Sequence, residues 1–260
     1  MPTILSVLAL LTYSAASVLL VADLRADRPR TRALGRFWLD LSTGLVVLAV
    51  LSVAITRGPI ALFSRTWVFL LVAVVIAVGG LGLRLQFSHR VIGAATAPVA
   101  SFLLALQLLE VQRVAGAESE LGLVLVVHVG LALLGLGIFG LAAALSALYL
   151  LQDRQLRHRR FGSLFQKLPS LEELDTAGFR LVVLGFATYS VGLVIGGVEA
   201  WFVRDDGFDL RMLLAFFAWL VFAAVVHLRL TSGWRGRQSS WMTVVGFLSA
   251  LLVLLFYSFP

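Results

Sequence analysis

The chain has 260 residues, of which 60% are hydrophobic and 13% charged, and its mean hydropathy is +0.98. That composition excludes a soluble domain and describes one integral membrane domain, 1–260, built of helices. A net charge of +7 invites a nucleic-acid partner, but the arginines sit in short connections between apolar runs, where membrane topology puts them, so none is expected. There is no cysteine, which rules out thiol catalysis, thiolate metal sites and disulfides.

A span needs about 20 apolar residues, and about eight such runs fit. The first, 3–22, has no basic residue before it, while Arg25, Arg28, Arg30, Arg32 and Arg36 follow it closely. A signal peptide shows the reverse order, so this run reads as an uncleaved helix with its N-terminus outside. The second, 38–56, is entered through Trp38 and Asp40. The third, 66–83, ends in Gly79, Gly80 and Gly82, which permit close helix approach. The fourth, 91–110, contains Pro98, which removes a backbone donor and predicts a kink. The fifth, 121–151, holds His128 near its start and continues into QDRQLRHRR as a projecting basic turn or two. In the connection that follows, Pro169 precedes Ser170 and Glu173, a capping box opening the sixth helix, 174–200. Gly185, Gly192 and Gly196 lie near one face of that helix, as tight packing needs. The loop WFVRDDGFD leads to the seventh run, 211–229, which holds His227. After Ser-Gly-Trp-Arg-Gly-Arg comes the eighth, 241–258.

Charge supports this alternation. Sixteen of the 21 basic residues fall in connections on one side and five (Arg57, Arg65, Arg113, Arg204, Arg211) on the other. The arginine-rich side is expected to be cytoplasmic, with both termini outside. The fold class is thus all-α and polytopic.

Two histidines lie within predicted spans. His128 is expected about 10 Å below the outer surface and His227 about 24 Å down, each turned to the bundle interior. Depths that far apart favour two separate positions or roles. Each reads as an axial haem ligand or proton-relay group, against the alternative of a histidine bonded to a neighbouring helix carbonyl. His89 and His158 read as solvated. Glu199 stands at the outer end of the glycine-rich helix beside Trp201, within reach of Arg204 or Arg211. No phosphate loop, HExxH, nucleophile elbow or spaced carboxylate pair occurs, so no catalytic constellation is visible.

The stretches LVVHVGLALLGLGIFGLAAALSALYLLQDRQLRHRR, KLPSLEELDTAGFRLVVLGFATYSVGLVIGG and FDLRMLLAFFAWLVFAAVVHLRLTSGWRGRQSSWMTVVGF resemble the bacterial cytochrome c assembly superfamily. The nearest branch is the HemX/YpjD-type eight-helix proteins, relatives of the haem-handling CcsA and CcmC. The likeness covers 121–258; residues 1–120 agree in helix number and character. It implies that His128 ligates haem at the external face, that His227 serves a deeper position, and that Asp209 stands where an external tryptophan-rich motif ends. Glu199 occupies a usual tryptophan position of that motif, which is otherwise absent, and a second external histidine is missing. Trp201 and Trp234 complete the residues singled out. The implied function is non-covalent b-type haem handling in the bacterial inner membrane, assisting cytochrome c assembly or haem supply. Implied partners are the lipid bilayer and other cytochrome c assembly or haem-synthesis proteins. Two further readings stay open: a haem-free regulator or scaffold of a tetrapyrrole-synthesis enzyme, contacting it through Arg157, Arg159 and Arg160, and a small-solute permease.

Overall fold

In lipid every backbone N–H and C=O must be satisfied within the segment, which makes helices of the long Leu-, Val- and Ala-rich runs. The computed structural model describes residues 1–26, 28–113, 122–159, 165, 167–201 and 210–258. Among them are eight α-helices and no strand: α1 (Pro2–Ala26), α2 (Pro29–Arg57), α3 (Val68–Leu83), α4 (His89–Arg113), α5 (Leu123–Arg157), α6 (Leu171–Glu199), α7 (Leu210–Ser232) and α8 (Arg237–Ser258). A short 3₁₀ turn, Pro59–Phe63, precedes α3. Seven of the helices are long and apolar enough to cross a membrane; α3, with 16 residues, is the short one.

Several helices begin earlier than their apolar runs. Helix α2 starts at Pro29, nine residues before 38, because proline suits the first turn and the basic residues that follow are good helix formers outside lipid. Helix α8 likewise starts at Arg237. At α6 the capping box is complete: the Glu173 N–H donates to Ser170 Oγ at 3.2 Å, and the Ser170 N–H donates to Glu173 Oε2 at 2.9 Å. The helix therefore begins at Leu171. Helix α4 runs unbroken through Pro98.

Two groups of four helices pack side by side. In the first, α1 packs on α2 and α4, and α3 on α4; in the second, α5 packs on α6 and α8, and α7 on α8. Contacts of α3 and α4 with α5 join the groups. One continuous core runs through both, with Leu20, Leu39, Phe69, Ile76, Leu103, Phe139 and Phe222 fully buried. The termini share one end of the bundle. Lys167, just before α6, donates to the carbonyls of Asp23 and Leu24 at the far end of α1, and the first turn of α8 lies beside that region of α6. Below, the two ends are the termini end and the arginine end.

Helices α5 and α6 form the most extensive pair. They run antiparallel with one register throughout: Gly196 faces His128, Tyr189 faces Gly135, Gly185 faces Phe139 and Gly178 faces Leu145. Small residues let the backbones approach closely. The expectation that Gly185, Gly192 and Gly196 share a packed face is met, and the face they meet is α5.

Candidate functional site

His128 sits in the second turn of α5, at the termini end. Its ring lies directly over Gly196, where an added Cβ would collide with three ring atoms. Glycine is required there by proximity, not by backbone angle. The ring's Nδ1 lies 2.7 Å from the carbonyl oxygen of Gly192, one turn back along α6, which is the contact that the alternative reading, a histidine bonded to a neighbouring helix carbonyl, expected. A carbonyl only accepts, so Nδ1 carries the proton, and in the neutral ring the lone pair is then on Nε2. That tautomer is the one that metal-ligating histidines adopt when a second group fixes the ring. Thus Gly196 makes room for the imidazole and Gly192 orients it.

Glu199, one turn further along α6, is only 8% exposed despite its charge, while Trp201 is 60% exposed on the surface nearby. His128, Glu199 and Trp201 thus share the termini end of the α5–α6 seam. Asp209 lies outside the described residues.

His227 is elsewhere. Phe139 of α5 stacks on Phe222 of α7, ring centroids 3.5 Å apart, which aligns the two helices. His128 lies eleven residues from Phe139 toward the termini end, and His227 five residues from Phe222 toward the arginine end. Sixteen residues of helical rise separate them axially by about 24 Å. No single iron spans that. The expectation of an inward-facing His227 also differs from the structure: α7 buries Ala218, Phe222 and Val225, and His227 lies exposed off that face. Its ring makes no hydrogen bond to the described residues. Periodicity shows that α7 is apolar all round, so it did not reveal which stripe packs. Trp234 is exposed in the turn after α7, also at the arginine end.

The arginine end of the seam has a second polar centre that sequence reading missed. Arg229 makes a two-pronged pair with Asp175, Nη1 to Oδ1 at 2.9 Å and Nη2 to Oδ2 at 2.8 Å. The Gly236 N–H donates to the same Oδ1 at 2.9 Å. The guanidinium also lies 4.2 Å from the Phe179 ring centroid. A Cβ on Gly236, whose φ is +70°, would strike the Tyr149 hydroxyl of α5 at 2.5 Å. One carboxylate therefore ties α6 to α7 and to the turn that opens α8, and Tyr149 of α5 packs against that turn. The signal was available: Asp175 ends LPSLEELD and Arg229 lies in HLRLTSGWRGR, two stretches of opposite charge. His128 and Tyr149 are 21 residues apart on α5, about 32 Å, so the seam carries polar chemistry at both edges of a hydrocarbon core of about 30 Å.

Among the described residues no group of three or more His, Cys, Asp or Glu side chains converges as a metal cage would require. A lone imidazole is the donor that such a metal would find here, which fits one carried inside a macrocycle whose ring supplies the remaining donors.

Residues 58–259 match the family model described as Cytochrome C assembly protein. The cytochrome c biogenesis protein CcsA of Prochlorococcus marinus (strain MIT 9215) is 36% identical over 91 residues, covering 34% of this chain and 29% of its own length. CcsA of Nostoc punctiforme is 39% identical over 85 residues, 32% of this chain and 24% of that protein. Protein HemX of Brevibacillus brevis is 32% identical over 130 residues, 49% of this chain and 48% of HemX. The matched stretch is less than half the length of each of these relatives.

Proposed function

Since the chain belongs to the cytochrome c assembly protein family, we propose that it is a haem-handling membrane protein of the HemX-like branch, assisting cytochrome c assembly or haem supply. The observation that carries this reading is His128, half-buried, its Nδ1–H held by the Gly192 carbonyl and its Nε2 left with a lone pair. Neutral imidazole of that tautomer suits an axial position on iron. Without a cysteine the attachment is non-covalent, as in a b-type haem. The bound haem supplies the iron; the chain's own residues bind and orient it, and the activity is transfer or storage rather than bond chemistry.

The excess of arginine at one end supports a cytoplasmic assignment for it, in a bacterial cytoplasmic membrane, with His128 toward the outer surface. His227 belongs to a second, separate position near the cytoplasmic side. Being exposed, it would meet haem only in passage, arriving from the bilayer or through a partner subunit, so the purified chain would retain none there; other assembly or haem-synthesis proteins are the partners expected.

The test is an absorption spectrum of the protein purified from haem-replete membranes. A Soret band is expected, with most of its intensity lost in His128→Ala and little lost in His227→Ala. No band, or one unchanged in His128→Ala, would refute the ligand assignment.

A further inference from the structure

At the termini end, away from the α5–α6 seam, two arginines meet on one aromatic ring. Arg65, in the turn before α3, places its guanidinium carbon 5.7 Å from the Tyr257 ring centroid. Arg211, in the first turn of α7, places its own 6.0 Å from the same centroid. Two cations gathered around one ring make a positive centre that an anion beside them would neutralise. Among the described residues no carboxylate pairs with either. Arg65 spends one Nη2 proton on the Ser258 carbonyl at 3.1 Å, while its buried Nε–H has no acceptor. A buried donor left unbonded costs free energy that folding does not recover, so an acceptor beyond the described residues is called for.

The height of this pair defines its ligand. Gly140 of α5 faces Phe247 of α8, and Tyr149 faces Gly236. That antiparallel register puts Tyr257 level with residues 128–130 of α5, and Phe63, two residues before Arg65, packs on Gly130. The arginines therefore lie at the depth of His128, near the membrane surface, toward α8 where His128 points toward α6. An anion reaching that level from the lipid side carries an apolar body with it.

We infer that Arg65, Arg211 and Tyr257 form a binding site for an oxyanion, carboxylate or phosphate, borne on an amphiphile at this end of the bundle. The guanidiniums grip oxyanions through charge-assisted hydrogen bonds, and Tyr257 holds them apart. Two molecules present that chemistry: an anionic phospholipid, and a haem through its carboxylate side chains. The second source rests on the haem reading above; the first does not.

The experiment uses the full chain and compares wild type with Arg211→Gln, Arg65→Lys and Arg65→Gln/Arg211→Gln. In the lipid arm, delipidated protein in mixed micelles of phosphatidylglycerol and phosphatidylcholine is examined by native mass spectrometry. In the haem arm, haemin and its dimethyl ester, which lacks the carboxylates, are titrated by Soret absorbance. One arm is expected to respond. Either the preference for phosphatidylglycerol falls about tenfold per arginine lost, or haemin binding falls by that factor while the ester, already weaker, is unchanged. Arg65→Lys, which keeps the charge, should retain most of the effect. Arg211 is exposed, so its substitution leaves the fold intact and reads binding alone. If Arg211→Gln and the double variant match wild type in both arms, the proposal is overturned. If haemin fails to bind at all yet the lipid preference depends on the arginines, this site stands and the haem reading falls.

Discussion

Replacing Asp175 by alanine tests the ionic tie at the arginine end. The wild-type carboxylate accepts three hydrogen bonds, two from Arg229 and one from the Gly236 N–H, and the two side chains are only 13% and 9% exposed. Removing one partner of a fully buried pair costs about 3–5 kcal/mol, because the other charge is stranded. Slight exposure and the nearby membrane surface let Arg229 regain some hydration, so about 3 kcal/mol is expected, together with a fall in melting temperature of about 6–12 °C. Arg229→Met, which keeps an apolar stem over Phe179, should cost about 2 kcal/mol, chiefly the stranded carboxylate. Replacing both, as Asp175→Ala/Arg229→Met, strands no charge and should cost less than the two singles added. The assay is reversible unfolding in mixed micelles followed by tryptophan fluorescence, with the four proteins forming a double-mutant cycle. A coupling below about 0.5 kcal/mol would refute the tie, as would a double variant whose cost equals the sum of the singles.

At the other end of the seam, Gly196→Ala forces the His128 ring aside. A stability loss of about 1–3 kcal/mol by the same unfolding assay is expected, with a weakened Soret band where His227→Ala leaves it intact. Phe222→Ala, removing a fully buried ring stacked on Phe139, should cost about 3 kcal/mol, measured the same way. Ser170→Ala removes the cap of α6 and should cost about 1 kcal/mol with no change in the haem spectrum. If that spectrum changes as well, the two ends of α6 are coupled more tightly than hydrogen bonding alone accounts for.

Helix number, type and order were legible, because spans of Leu, Val and Ala declare themselves by length and the capping box at Ser170 by chemistry. Boundaries were less so. Hydropathy marks where lipid begins, whereas α2 opens with solvated basic turns that no apolar signal reports; the basic extension of α5 was read from QDRQLRHRR instead. Of the site, His128 and the glycines facing it could be read separately, but their meeting depends on an antiparallel register that is a property of two helices together. The orientation of His227 was out of reach for a related reason: a helix apolar on every side leaves its buried stripe to be chosen by its neighbours. Asp175 and Arg229 were in view as charges and were absorbed into the arithmetic of topology. Their pairing across 54 positions of chain is a fact of three-dimensional closure.

The single register of α5 and α6 works as a ruler laid across the membrane. Inserting one residue in α5 between His128 and Tyr149 would turn one end about 100° relative to the other. Either the imidazole would leave its glycine or the tyrosine would leave the Asp175 corner. Length changes in this protein must therefore fall in the connections, and whatever sits at one membrane surface is held at a fixed span from the other.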